Sequence, residues 1–320
     1  MIDANETSVT EFILLGFSGI KNIKLLLFGV FLFIYIITFS GNIVIVTVVY
    51  VNLQLHTPMY FYLVNLSFLE IFYTTNIIPR MLFNIMTDNN IVSFLECIAQ
   101  LYFFGSLGST ECFLLGVMAY DRYLAICNPL RYMSIMSKKA CVCMSLIVWT
   151  FGFSSSAFHS LSTLWLSFCG PKEINHFFCE VPQVLALSCT DTTLNKQVLI
   201  ATDLVLGLIC IILIFISYMF IIAAILNIRS REGKKKAFST CASHLAVVLL
   251  FYGTLIFAYF KPSEESNNMD KEIAVFYTVV IPLLNPILYS LRNKEVKASV
   301  EKMILRKIML SIKSNSVLSS

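Results

Sequence analysis

The sequence predicts an all-α membrane protein, a bundle of seven transmembrane helices with a short amphipathic helix on the cytoplasmic side. Apolar residues make up 58% of the 320 residues and charged residues only 13%, about half the charged fraction of an ordinary soluble domain. Seven apolar stretches approach or exceed the roughly 20 residues that cross a bilayer. Most of the positive charge lies on one predicted side of these stretches. Together, these observations exclude a soluble globular protein.

Four of the seven stretches contain no charged residue, and the other three contain one acid each. The charge-free stretches are the first (Leu25–Val51), the fourth (Ala140–Phe168), the sixth (Ala237–Phe260) and the seventh (Ile273–Leu291). The second (Pro58–Ile78), the third (Cys97–Ala119) and the fifth (Val198–Ile228) contain Glu70, Glu111 and Asp203, respectively. We call these stretches the first to seventh spans.

The distribution of Lys and Arg predicts the orientation, because these residues concentrate in cytoplasmic loops. An extracellular N-terminus places sixteen of the 23 on the inner side: Arg122, Arg131, Lys138, Lys139, Arg229, Arg231, Lys234, Lys235, Lys236, Arg292, Lys294, Lys297, Lys302, Arg306, Lys307 and Lys313. We expect one domain over residues 1–320, with an extracellular N-terminus (1–24), the bundle (25–291) and a cytoplasmic tail (292–320). In the tail, the segment EVKASVEKMIL has the pattern of an amphipathic helix that lies along the membrane.

The N-terminal residues MIDANETSV are polar and acidic, so we expect no cleavable signal peptide, and the first span serves as its own insertion signal. Asn5-Glu6-Thr7 is a glycosylation acceptor on the predicted outer side. The net charge of +4 comes from the inner loops, which is typical of a surface facing anionic lipid and a cytosolic partner. No pattern indicates nucleic-acid binding.

Four of the ten cysteines face the predicted outer side, where thiols form disulfides. They are Cys97, at the top of the third span, and Cys169, Cys179 and Cys189 in the long loop after the fourth span. Four cysteines allow three pairings, and the sequence alone does not choose between them. A metal site that includes His176 is the alternative, which the oxidising exterior disfavours.

Three segments point to a family. MAYDRYLAIC (Met118–Cys127) places Asp121 and Arg122 at the cytoplasmic end of the third span; LHTPMYFYLVNLSFLE comes before it and KAFSTCASHL after it. Together they resemble the olfactory receptors, a large branch of the rhodopsin-like G-protein-coupled receptors, over nearly the whole chain. The resemblance implies the disulfides Cys97–Cys179 and Cys169–Cys189.

The resemblance also implies an activation switch. The Arg122 guanidinium stays charged at any relevant pH, and we expect Asp121 to hold it in the resting state. The alternative is an ordinary charged helix end, which the NPxxY motif at Asn285–Tyr289 argues against. We expect His244 to hydrogen-bond toward the third span. The full predicted switch is Asp121, Arg122, Tyr123, Tyr218, His244, Asn285, Pro286 and Tyr289.

Polar side chains within the spans converge near the middle of the membrane. At about 1.5 Å of rise per residue, Glu111 lies ~16 Å from Arg122, and Glu70 ~18 Å from Pro58 on the same side. We expect these acids and their neighbours to hold a sodium ion or a water cluster that favours the resting state. The alternative is that both acids are protonated and purely structural. The predicted cation site is Asn42, Ser67, Glu70, Glu111 and Asn285, and we expect no other metal or cofactor.

A ligand pocket is expected in the outer half of the bundle, small and apolar with few polar anchors. Tyr252 takes the place of the Trp that rhodopsin-like receptors commonly carry, and Phe104 that of the Asp in amine receptors, so we expect no biogenic amine. Asp203 either contacts the ligand or pairs with Lys196 or another base on the outer side. Helix packing is the alternative role for the glycines. The predicted lining is Phe104, Gly105, Gly108, Ser109, Thr202, Asp203, Leu206, Tyr252, Leu255, Ile256, Tyr259 and Thr278.

The resemblance therefore predicts an olfactory receptor without enzymatic activity. We expect it to bind a small volatile odorant and to activate a stimulatory heterotrimeric G protein that raises cyclic AMP. The expected location is the plasma membrane, in the cilia of olfactory neurons. The alternative is a rhodopsin-like receptor for a nonvolatile metabolite or lipid outside the nose. A transporter or intramembrane enzyme is disfavoured, because the sequence has no HExxH, Gly-rich phosphate loop or inverted pair of broken helices.

Overall fold

A computed structural model describes residues 9–17, 23–87, 89–169, 172–260, 266–291 and 296–303. These residues form a bundle of seven long helical segments with short elements at both ends, which confirms the predicted fold class. Asn5 and the side chain of Tyr259 lie outside the described residues. The glycosylation of Asn5 and the pocket role of Tyr259 therefore stay predictions.

The α-helices follow the predicted order of spans. They are α1 (Lys24–Val51), α2 (Pro58–Thr87), α3 (Phe94–Cys127), α4 (Pro129–Ile135), α5 (Lys138–Leu164), α6 (Val181–Leu185), α7 (Thr193–Asn227), α8 (Arg231–Phe260), α9 (Ser266–Val275) and α10 (Ile281–Leu291). The first to sixth spans are α1, α2, α3, α5, α7 and α8. The seventh span consists of α9 and α10, which a π-helix at Phe276–Val280 joins.

Within the described part of the chain, six helices are long and apolar enough to cross a membrane. In the sixth span the apolar part is shorter, Cys241–Phe257, because α8 begins in the basic run Arg231–Lys236. Large apolar side chains cover the outside of the bundle, for example Phe33, Leu146 and Phe215, each more than 60% exposed. In water this surface would drive aggregation, whereas in a bilayer it contacts lipid.

Several helices begin before the predicted spans, and two end earlier, the fifth span by one residue at Asn227. The third span begins at Phe94 because Ser93 and Glu96 form a capping box: the Ser93 hydroxyl accepts from the Glu96 N–H at 3.2 Å, and the Glu96 carboxylate accepts from the Ser93 N–H at 3.0 Å. The fourth span ends at Leu164 rather than at Phe168, since Phe168 pairs with Ser188 in an isolated β-bridge.

A three-stranded sheet covers the outer end of the bundle, and the sequence analysis did not predict it. Strand β1 (Glu11–Leu14) lies in the centre, antiparallel to β2 (Ile91–Ser93) and parallel to β3 (Glu173–Ile174). Phe12 of β1 is 1% exposed and packs against Phe94 and Phe168. The segment before the first span therefore belongs to the layer that covers the outer end of the bundle. We call this layer, formed by the three strands and the long loop after the fourth span, the lid.

Both implied disulfides are present. Cys97–Cys179 joins the third span to the long outer loop, and Cys169–Cys189 closes that loop on itself. The metal alternative for these cysteines is wrong, because all four are paired. The first disulfide also fixes Phe177 and Phe178, 2% and 0% exposed, above the interior of the bundle.

On the cytoplasmic side, residues 296–303 are helical, which confirms the predicted tail helix over those residues. Val296 is fully buried, and Val300 and Met303 pack on the same apolar cluster as Ile45 and Tyr60. The apolar face of this short helix therefore lies against the inner ends of the first and second spans.

Candidate functional site

Asp121 and Arg122 form an ion pair at the cytoplasmic end of the third span. Arg122 donates to Asp121 Oδ2 from Nη2 at 2.5 Å and from Nε at 3.2 Å. Asp121 is 1% exposed and Arg122 7%. Burial makes each charge depend on the other, because a buried ion without a partner costs several kcal/mol. The structure thus shows the predicted ion pair, and its role in holding the resting state stays a prediction.

Tyr132 of α4 is a second partner of Asp121 that the sequence analysis missed. Its hydroxyl donates to Asp121 Oδ1 at 2.8 Å, so each carboxylate oxygen has a donor. Burial and the neighbouring Asp121 carboxylate raise the pKa of the Tyr132 hydroxyl, so that it keeps its proton and remains a donor. We call Asp121, Arg122 and Tyr132 the latch.

His244 links three spans about two turns above the latch. Its Nε2 lies 3.2 Å from the carbonyl of Leu115 on the third span, and its Nδ1 lies 2.7 Å from the hydroxyl of Tyr218 on the fifth. Because a carbonyl only accepts, Nε2 carries the proton of a neutral ring, and Nδ1 accepts from Tyr218. The predicted hydrogen bond from His244 toward the third span is confirmed.

The remaining switch residues surround the latch. Tyr289, at the end of the NPxxY motif, interacts electrostatically with Arg122, and so does Tyr218. The buried Tyr289 hydroxyl has no hydrogen-bond partner among the described residues, so it is free to accept from Arg122. Tyr123 packs against Phe220 of the fifth span at 5.7 Å between ring centroids.

Near the middle of the membrane, Glu70, Glu111 and Asn285 form one cluster. Asn285 Nδ2 donates to Glu70 Oε1, and Glu111 interacts electrostatically with Glu70. All three are at most 2% exposed. The described residues provide no partner for several buried oxygens on these helices: Thr38 Oγ1, Ser67 Oγ, Glu70 Oε2, Glu111 Oε1 and Asn285 Oδ1. Asn42 is also buried but donates to the Thr38 carbonyl of its own helix.

Aromatic side chains close the outer half of the bundle. Phe178 of the outer loop lies 4.9 Å from Phe104 of the third span and 6.5 Å from Tyr277 of the seventh, between ring centroids. The Tyr277 hydroxyl donates to the Glu180 carboxylate at 3.2 Å. On the other side of the loop, Phe17 stacks on Phe177 at 5.4 Å. The lid is therefore packed against the third and seventh spans.

Below this lid, one face of the third span borders open space. Gly108 is half-buried, and a Cβ built on it meets no atom within 4 Å. It lies one turn from Phe104 above and from Cys112 below, so the three share a helix face. Cys112 in turn contacts Tyr252 of the sixth span. Along this face, Gly108 therefore lies between the lid contact of Phe104 and the Tyr252 contact of Cys112.

Comparison with known proteins agrees with this geometry. A family profile described as "Olfactory receptor" matches residues 31–307. Olfactory receptor 5AP2 of Mus musculus is 48% identical over 301 residues, which cover 94% of this chain and 95% of that protein. Olfactory receptor 5I1 of Homo sapiens is 48% identical over 309 residues, covering 96% and 98%.

The chain belongs to the olfactory receptor family. It is therefore a class A G-protein-coupled receptor, a multi-pass plasma membrane protein that signals through a G protein and has no enzymatic role.

The predicted lining residues of this receptor lie in different environments: some pack between helices, one faces lipid, and others face the interior. A Cβ on Gly105 would lie 2.7 Å from Ser156 Oγ of the fourth span, so Gly105 serves helix packing, the alternative role. Ile256 is 48% exposed and shares an outward stripe with Leu249 and Phe257, which places it toward lipid rather than with Tyr252. Thr278 is fully buried and donates to the Ala274 carbonyl of its own span.

Half-buried Ser109, Leu206 and Leu255 remain candidates for the lining, whereas Asp203 is exposed near the outer end of the fifth span. Asp203 acts electrostatically on His159 of the fourth span, a residue that the sequence analysis did not single out. His159 Nε2 donates to the Thr202 hydroxyl at 3.0 Å, because that hydroxyl gives its own proton to the Val198 carbonyl. Thr202 therefore ties the fourth span to the fifth.

Replacing Tyr132 by Phe removes one donor from Asp121 and leaves the ring in place. A hydrogen bond of about 0.5–1.5 kcal/mol corresponds to a twofold to roughly tenfold shift of the resting equilibrium. We expect Tyr132→Phe to raise ligand-independent signalling, measured as G-protein activation at matched surface expression. Tyr50→Phe, at an 82% exposed tyrosine on the same side, is the control and stays at the wild-type level. Equal basal signalling in both variants would show that Tyr132 does not stabilise the resting state.

Proposed function

We propose that this receptor binds a small volatile odorant below the lid and activates a stimulatory heterotrimeric G protein that raises cyclic AMP. The proposed location is the ciliary plasma membrane of olfactory neurons. Its membership in the olfactory receptor family supports the odorant-sensing role, and the open space beside Gly108 is the observation that carries the binding site.

The walls of the proposed site favour a small, mainly apolar ligand. Phe104, Phe178 and Tyr277 form its upper boundary, and Tyr252 its floor. Aromatic rings contribute apolar contact area, and a few hydroxyl and thiol groups give polar orientation. The Tyr277–Glu180 hydrogen bond places one polar pair at the edge of the lid.

The third and sixth spans connect this site to the latch. Tyr252 donates to the Cys112 carbonyl at 3.1 Å, so a ligand that displaces Tyr252 also displaces the sixth span relative to the third. His244 lies about two turns below Tyr252 on the same helix, and its Nε2 donates a hydrogen bond to the Leu115 carbonyl. Loss of that contact separates the two spans and leaves Arg122 free to leave Asp121. Tyr218 and Tyr289 then accept from Arg122 while the G protein binds.

The cluster around Glu70 and Glu111 fits a sodium ion. Carboxylate, amide and hydroxyl oxygens are hard donors of the type that such cations prefer, and the oxygens without partners come from four spans. The proposed ligands are Ser67, Glu70, Glu111 and Asn285, with Asn42 in the surrounding layer. A bound cation supplies positive charge between the two acids and holds the spans in the resting arrangement.

Gly108→Leu tests the site, because a Cβ at this position meets no atom within 4 Å and the new side chain therefore extends into the open space. We expect responses to a broad volatile panel, measured as cyclic AMP, to fall by an order of magnitude or more in potency, since the ligand loses that volume. Gly29→Leu is the matched control, since Gly29 is exposed on the first span and also has open space around it.

Arg122→Ala is the control for coupling and abolishes the response. An unchanged potency in Gly108→Leu would place the ligand elsewhere. Silence of the wild-type receptor toward the panel, with surface display confirmed, would favour a nonvolatile ligand or a different G protein.

Glu111→Gln tests the cation proposal, since it removes one charge and keeps the shape of the side chain. A ligand that binds only the folded state raises the unfolding temperature as its concentration rises. We expect sodium, exchanged for potassium at constant ionic strength, to raise the unfolding temperature of the purified wild type but not of Glu111→Gln. Glu173→Gln, an exposed carboxylate in β3, is the control and keeps the sodium effect. A sodium effect that survives in Glu111→Gln would favour protonated, structural acids.

A further inference from the structure

The two extracellular disulfides differ in their access to water. Cys97 and Cys179 are both fully buried beneath the lid, whereas Cys169 and Cys189 are both exposed. A thiolate breaks a disulfide by direct attack on one of its sulfur atoms, so a buried bond is protected and an exposed bond is open to exchange. The receptor therefore carries one protected disulfide and one accessible disulfide.

The buried disulfide fixes the lid to the bundle together with a network of hydrogen bonds. The Cys179 N–H donates to Gln100 Oε1 of the third span at 2.8 Å. Gln100 Nε2 donates to the carbonyl of Asn76 on the second span at 2.9 Å, and Asn76 Nδ2 donates back to the Gln100 carbonyl at 3.0 Å. This side of the lid thus has covalent and polar anchors that do not involve the exposed disulfide.

The exposed disulfide ties together the outer ends of the fourth and fifth spans. Cys169 comes shortly after the fourth span ends at Leu164, and Cys189 comes shortly before the fifth span begins at Thr193. The bond closes the loop segment between these cysteines, which includes β3. Cleavage therefore releases the lid where it meets the fourth and fifth spans and leaves it fixed to the third.

Hydrogen bonds hold the two ends of this loop segment together without the sulfur atoms. The Cys189 N–H donates to the Ser167 carbonyl at 2.9 Å, and the Ser167 N–H donates to Thr190 Oγ1 at 3.1 Å. The Ser188 hydroxyl donates to the same Ser167 carbonyl at 3.2 Å. These contacts keep Cys169 close to Cys189 after the bond is broken, so the chain stays folded and the disulfide can form again.

We propose that the Cys169–Cys189 bond is a modification site for small water-soluble aliphatic thiols, which exchange with it and loosen the lid beside the fourth and fifth spans. The Cys97–Cys179 bond stays intact and keeps the lid on the third span. This modification involves neither the proposed odorant site nor the G protein, so either proposal can fail without the other.

The exchange balances in two steps. A thiolate attacks one sulfur of the exposed bond, the S–S bond breaks, and a mixed disulfide forms; the other cysteine leaves as a thiolate and takes up the proton that the incoming thiol has lost. A second thiolate then attacks the sulfur of the bound small molecule and releases the remaining cysteine, which is protonated in the same way. Two small thiols lose two electrons and two protons and become one disulfide, and the two cysteines gain both.

Differential alkylation of the purified full-length receptor tests the site. The receptor in lipid nanodiscs is incubated with reduced glutathione under native conditions, quenched with N-ethylmaleimide, digested without further reduction and mapped by mass spectrometry. We expect Cys169 and Cys189 to become alkylated, or to carry glutathione, at least about tenfold faster than Cys97 and Cys179. An exposed bond that lasts as long as the buried bond, or longer, overturns the proposal.

Hydrogen exchange tests whether reduction loosens the lid. We expect glutathione to speed amide exchange in peptides that contain Ser167 or Cys189, with no change in the peptide that contains Gln100. The double substitution Cys169→Ser and Cys189→Ser should show the faster exchange before any thiol is added, and glutathione should not change it further. Cys143→Ser, at an exposed free cysteine of the fourth span, is the matched control and keeps the wild-type response. Unchanged exchange in a wild-type receptor whose exposed bond has been reduced would contradict the proposed loosening.

Discussion

A buried arginine at the inner end of the third span constrains everything else in this receptor. Arg122 is charged at any relevant pH and almost fully buried, so it must always have a partner. In this structure Asp121 provides the partner, and Tyr132 donates to the second carboxylate oxygen. In the proposed mechanism, signalling therefore requires Arg122 to exchange one partner for another. We propose the nearby tyrosines Tyr218 and Tyr289 as the acceptors that lower the free-energy cost of this exchange.

The third span connects this constraint to the outer surface because it contributes residues at four levels between the lid and the latch. Cys97 anchors the lid, Cys112 contacts Tyr252, Glu111 faces the mid-membrane cluster, and the Leu115 carbonyl accepts from His244. The fifth, sixth and seventh spans each contact it at one or two of these levels. A ligand below the lid thus acts on a helix whose polar contacts extend to the latch, which gives a physical route without any large rearrangement of the lid.

Much of this architecture could be predicted from the sequence, because few kinds of backbone structure can cross a bilayer. Uninterrupted apolar stretches fixed the spans, and the motifs around Arg122 and Asn285 placed the switch. The rest depends on tertiary packing, which single-sequence patterns do not encode. The sequence does not distinguish the packing roles of Gly105 and Gly108, yet only Gly105 packs against Ser156. The extracellular sheet, the Tyr132 hydrogen bond and the outward rotation of Ile256 likewise arise from neighbours that lie far away in the chain.

The most direct test of the latch is the distance between the fourth and sixth spans at their cytoplasmic ends. Spin labels at Lys139 and Glu232, both exposed, report it by double electron–electron resonance in the ligand-free receptor. Asp121→Asn removes the partner charge of Arg122, so a population with a longer distance should appear that is minor in the wild type. Identical distance distributions in both receptors would contradict the account, because Asp121 would then not hold the resting state.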